Sequence, residues 1–86
     1  MILFTPMSEA EADQAERGML RDDLVWVDSP APGRAAEDAI WMSIEMPDVR
    51  MARFEKDSDP RLGYREFRIP ARITNLHQAR RVKLPL

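Results

Sequence analysis

The chain has no cysteine, one histidine and three glycines among its 86 residues. Without cysteine, no disulfide or thiolate metal site can reinforce a small core, and the absence fits a reducing compartment. Three scattered glycines leave no G-x-G-x-x-G or G-x-x-x-x-G-K-[ST] loop to cradle a phosphate. No apolar run is long enough to span a bilayer. The apolar run in the opening "MILFTPMSEAEAD" is too short for a signal peptide, so a soluble cytoplasmic protein is the expectation. The lone His77 needs carboxylate partners to hold a metal. The nearest acidic cluster, Asp57-Ser58-Asp59, lacks the longer ligand run, glycine and terminal bidentate acid of a calcium loop, and reads as turn chemistry. Ser29, Ser43 and Ser58 could be drawn into a Ser-His-Asp arrangement with His77, but none sits in a G-x-S-x-G nucleophile elbow. No cofactor and no metal are expected, and a non-enzymatic reading is favoured.

What the chain does have is segregated charge. Residues 1–60 carry 14 acidic and 6 basic side chains, a net of −8. Residues 61–86 carry Glu66 alone against Arg61, Arg65, Arg68, Arg72, Arg80, Arg81 and Lys83, a net of +6. Such a split produces either internal pairing or a dipolar surface. Internal pairing is the simpler outcome. The other is a basic face that meets an acidic partner.

The length suits one domain, 1–86, burying only about 60–65% of the surface its unfolded chain exposes. Residues 2–5 form a strand candidate ended by Pro6. "SEAEADQAERGML" reads as a helix opened by a Ser8/Glu11 capping box, with Ala12, Ala15, Met19 and Leu20 as a narrow apolar stripe. "LVWV" at 24–27 is a strand of β-branched and aromatic residues. "DSPAPGR" is a loop, and "AAED" can add a helical turn. "AIWMSIEM" alternates, with Ile40, Met42, Ile44 and Met46 on one face and Trp41, Ser43 and Glu45 on the other. A shorter alternating piece follows at 49–55. "GYREFRI" then puts Phe67 and Ile69 on one side and Tyr64, Glu66 and Arg68 on the other, and "RRVKL" reads as a basic edge strand. The expectation is an α+β fold: one or two helices packed on a small, mainly antiparallel sheet of four to six short strands.

Three of these pieces, "VWVDSP" at 25–30, "AIWMSIEMPD" at 39–48 and "YREFRIPARITN" at 64–75, together resemble small bacterial ADP-ribosyltransferase-like domains. The resemblance implies a cleft for NAD with an Arg or His on the first strand, a Ser or Tyr in the middle and a Glu on a late strand. Glu66 falls on the late-strand glutamate, where it would be the catalytic residue, and Ser29 is a loose match for the middle position. The first strand reads Phe4-Thr5 with neither Arg nor His, so the resemblance implies a reduced domain.

The residues themselves favour a small non-enzymatic protein–protein interaction or inhibitory module acting through charged surfaces. Small phage or mobile-element inhibitors of host systems, anti-CRISPRs included, and antitoxins are of this general kind. Its expected binding residues are Arg65, Arg68, Arg72, Arg80, Arg81 and Lys83 with Trp41 and Tyr64, and the 63–69 strand is expected to lie within one basic binding face. The acidic helix, through Glu9, Asp13 and Glu16, is the alternative surface. A reduced transferase-like domain binding NAD or a nucleotide is a second reading. A nucleic-acid-binding accessory protein is a third, weakened by an acidic overall pI near 5.3. The partner expected is a protein, with no membrane, and the chain a monomer or weak homodimer.

Overall fold

The computed structural model describes residues 1–30, 37–48, 52–56, 61 and 63–83. The alternating segments form five strands, β1 (Ile2–Met7), β2 (Leu24–Val27), β3 (Ile40–Glu45), β4 (Glu66–Ile69) and β5 (Arg80–Arg81). They make one sheet in the order β4-β2-β1-β3-β5, every pair antiparallel. Among the described residues two helices, α1 (Glu9–Glu16) and the four-residue α2 (Ala71–Thr74), complete the α+β fold.

Period-two alternation sends side chains to opposite faces, and directly paired residues share a face. Leu3, Thr5, Met7, Trp26, Met42, Ile44, Phe67 and Ile69 therefore point together and are buried, with Ala12 and Ala15 of α1 packed among them. The other face carries Ile2, Phe4, Pro6, Val25, Val27, Trp41, Ser43, Glu45, Glu66, Arg68 and Arg80, all exposed or only partly buried. No described helix covers that side.

The expected strand at 2–5 runs on through Pro6 to Met7, at the centre of the sheet. Proline cannot donate to a ladder, which normally confines it to edges or bulges. Phe4 pairs with Val27, so the same register sets Pro6 opposite Val25, whose carbonyl then lacks a backbone donor. The Thr5 hydroxyl supplies one, donating to the Val25 oxygen at 2.9 Å. Thr5 is buried on the helix side for this task.

The capping box forms as the sequence indicates, with Ser8 and Glu11 satisfying each other's backbone N–H groups. The helix is shorter than expected, because Gly18 takes φ +69°. Its N–H reaches the Ala15 oxygen and that of Met19 reaches the Gln14 oxygen, the paired bonds of a Schellman terminus. Met19 is consequently exposed and outside the apolar stripe, whereas Leu20 is buried beyond the helix end. The expected strand at 49–55 is also corrected. Its described part is a 3-10 turn at Ala52–Phe54, followed by Glu55 in an isolated bridge to Phe67. The turn reading of Asp57-Ser58-Asp59 lies outside the described residues, and so do most of "DSPAPGR" and the alanines of "AAED".

Residues 70–79 must cross from one sheet edge to the other, since β4 and β5 are the outer strands. Two polar side chains fix the crossing. Asp23 accepts from the Ala71 N–H at 2.8 Å, and Asn75 exchanges two 2.9 Å bonds with the backbone of Leu20. Thr5→Val is isosteric but strands the Val25 carbonyl, so it should cost about 1–3 kcal/mol, whereas Thr5→Ser should cost less. Urea denaturation checks this, and an unchanged midpoint in Thr5→Val would refute the role given to the hydroxyl.

Candidate functional site

The basic residues near the C-terminus divide into two groups by what they touch. Arg65, just before β4, grips Glu55 with two bonds, Nε to Oε2 at 2.9 Å and Nη2 to Oε1 at 2.7 Å. Its guanidinium lies 5.2 Å from the centre of the Phe67 ring. The pair lowers the Glu55 carboxyl from its ordinary 4.5 and raises Arg65, each mainly through the hydrogen bonds to the other.

Arg81 does more. From β5 it reaches three acids on one face of α1: Nε to Glu16 at 2.8 Å, Nη1 to Glu9 at 3.0 Å and Nη2 to Asp13 at 2.7 Å. Acids at positions i, i+4 and i+7 of a helix stand in one row, and the planar guanidinium fork can serve three acceptors at once. Bonds to Glu16 and then Glu9 raise its pKa. Arg81 is therefore neutralised within the chain and offsets one of the three negative charges of the acid row. The internal pairing that the charge split suggested is present at both places.

Arg68, Arg72, Arg80 and Lys83 are exposed, and among the described residues none makes an ion pair. They do not form one basic face. Arg68 stands on β4 and Arg80 on β5, four strand spacings or about 19 Å apart. Arg72 lies on α2 and Lys83 follows β5. Trp41, partly buried, sits on the uncovered face opposite Pro6, and Tyr64 is partly buried ahead of β4. Instead of a strand over 63–69, β4 spans only Glu66–Ile69 and is one rim of a mixed face whose middle is Phe4, Val25, Val27 and Trp41.

Glu66 is on this face, opposite Val27, and Val27 is opposite Phe4, so the three form one cross-strand row. Ser29 is exposed beyond the end of β2, and Thr5 points to the helix side.

At the β5 edge of the face lies a half-open cleft of about 460 Å³, lined by Ile2, Ser43, Glu45, Leu76, His77 and Arg80, among others. It brings Ser43, His77 and an acid together, but no hydrogen bond joins them among the described residues, so no activated nucleophile is set up. No group of three or more His, Asp or Glu among the described residues has metal-binding geometry. No described helix is long and apolar enough to cross a membrane. Compared with known protein families, curated proteins and solved structures, the chain matches none.

Sequence reasoning named Arg80 and Trp41 but missed the cleft, which exists because β5 is only two residues long. The acid row of α1 was legible from its spacing; that Arg81 would be its partner was not. Two outcomes follow from the pairs. Glu55 titrates below 4.5 in the folded chain, so the Arg65 pair stabilises fully above that pH and is lost as pH falls through the lowered value. Arg65→Ala should return the Glu55 carboxyl towards 4.5 in a carbon-13 NMR titration, and an unmoved value would refute the cause given. Arg81→Ala leaves three carboxylates facing each other. It should lower the melting temperature, more at low salt than in about 1 M NaCl, where charges are screened within about 3 Å.

Proposed function

We propose that the protein is a small non-enzymatic interaction module that docks a protein partner on the uncovered face of its sheet and so blocks or scaffolds it. One observation carries this reading. A strip of partly exposed Phe4, Val25, Val27 and Trp41, covered by no described helix, lies between two cations, Arg68 and Arg80, that have no ion-pair partner among the described residues. Arginine and tryptophan are the side chains that most often anchor interfaces. Unpaired rim charges raise association rate and selectivity more than affinity.

Size sets the kind of docking. A face about 19 Å wide and about six residues long offers roughly 400 Å², half of the roughly 800 Å² per partner in a standard interface. The sheet alone suits a transient partner, and a stable one must also engage the loops or the cleft. An inhibitor of phage or mobile-element type is one use of such a surface. Nucleic-acid binding gains little, because the free cations are scattered and Arg65 and Arg81 are already neutralised.

The immobilised chain should retain a partner from its host extract, and Trp41→Ala, Arg68→Glu and Arg80→Glu should each reduce that capture. Arg81 is unsuitable for this test, since reversing it would break the contact with α1. Unchanged capture by all three variants, with circular dichroism confirming their fold, would refute the assignment of this face.

The reduced transferase-like reading is supported by the Phe4–Val27–Glu66 row, which holds Glu66 on an open face two strands from the first-strand position. It predicts a higher melting temperature with NAD at about millimolar concentration, because a ligand that binds only the folded state stabilises it. No shift would remove it.

A further inference from the structure

The cleft at the β5 edge has a direction and a closed end, and together these point to a ligand class. Register fixes where the backbone of β3 aims. Met42 and Ile44 face β1, as the mutual bonds between Met1 and Met46 further along the same side indicate. Trp41 and Ser43 face β5, as the bond from the Val82 N–H to the Trp41 oxygen shows. By the same alternation Glu45 turns its N–H and C=O outward on the β5 side. No described strand meets it there, because β5 begins at Arg80. The chain before β5 turns away: the amides of Leu76 and His77 bond back to Ile73 and Thr74 of α2 instead of to β3. The cleft is the space so left.

We infer that this cleft receives the C-terminal end of an extended peptide, with a free carboxylate held by Arg80 and an apolar side chain seated against Ile2 and Leu76. The inference rests on the interaction-module reading and names what that surface recognises. An antiparallel strand added beside Glu45 makes one further rung of the sheet, the mode of β-strand addition. It runs in the same direction as β5, from the Glu45 end towards Ser43. Arg80 already occupies the Ser43 rung, so a through-going strand is blocked and the added chain must stop. What stops there is its C-terminus.

The chemistry at the stop agrees with the geometry. Arg80 makes no ion pair among the described residues, and its guanidinium offers the planar fork that matches a carboxylate. His77 and Ser43 add donors beside it. Of the three exposed large apolar residues among those described, two, Ile2 (52%) and Leu76 (72%), line this cleft. The volume, about 460 Å³, falls within the usual range of ligand sites.

The test is a titration of the nitrogen-15-labelled full chain with the acetylated peptide Gly-Leu-Gly-Leu, as the free acid and as the C-terminal amide. The free acid should move the Glu45 amide and the Arg80 Nε–H saturably below about 10 mM, and the amide form should bind about tenfold or more weakly. Arg80→Ala should abolish the preference for the acid, and Leu76→Ser should weaken both forms while leaving the acid preference intact. No saturable shift, equal binding of the two forms, or shifts confined to other surfaces would overturn the inference. The two proposals fail separately. Partner capture that is lost in Trp41→Ala but survives Arg80→Ala refutes the cleft and leaves the module. Peptide binding without capture of any partner does the reverse.

Discussion

The constraint on which everything else depends is that the described helices cover the five short strands on one side only. The described residues provide one eight-residue helix with two buried alanines and one four-residue helix. That is enough to close a single apolar layer around Trp26, Phe67, Leu3, Met42 and Ile44. Isolated helices of such length are unstable in water, so they exist through packing and end contacts, not through propensity. Small side chains let α1 approach the sheet closely, and the capping box and the glycine terminus hold its ends. Nothing described is left over to cover the second face.

Electrostatics complete this economical structure. A chain with its acids early and its bases late needs a topology that returns the bases to the acids. β5 does so by lying at the far edge of the sheet, within reach of α1. Arg81 is absorbed in that contact, as Arg65 is in the contact with Glu55. Of the cations without an ion pair among the described residues, Arg68 and Arg80 fall at the margins of the uncovered face, one on each outer strand. The proposed docking surface is built from what the described contacts leave unused: an apolar strip, two separated arginines and a sheet edge that β5 covers only in part.

Much of this was legible in the chain. Alternation in "AIWMSIEM" and "EFRI" sorts Met42, Ile44, Phe67 and Ile69 into the core, and β2 spans the residues that its β-branched and aromatic composition marks. Local rules fell short where a tertiary partner intervened. Pro6 reads as a strand end because its missing donor is a local fact, while the Thr5 hydroxyl that compensates acts across strands. The stretch "ERGML" reads as helix because Leu20 continues the apolar stripe, yet the left-handed Gly18 ends the helix and Asn75 receives Leu20 from 55 residues away. For the site, residue types suggested one basic face, but sequence proximity says nothing of strand order. Placing β4 and β5 at opposite edges divides that face in two. The cleft depends on where β5 stops, which no pattern in "QARRVKL" determines.

The two tryptophans offer the most direct test of the one-sided sheet. Trp26 is fully buried beneath the helices, and Trp41 lies on the face that no described helix covers. Acrylamide quenching of the native chain should therefore resolve two populations, one shielded and one accessible. The accessible one should be the population that Trp41→Phe removes. A single shielded population, with Trp41 as protected as Trp26, would contradict the open face and the account built on it.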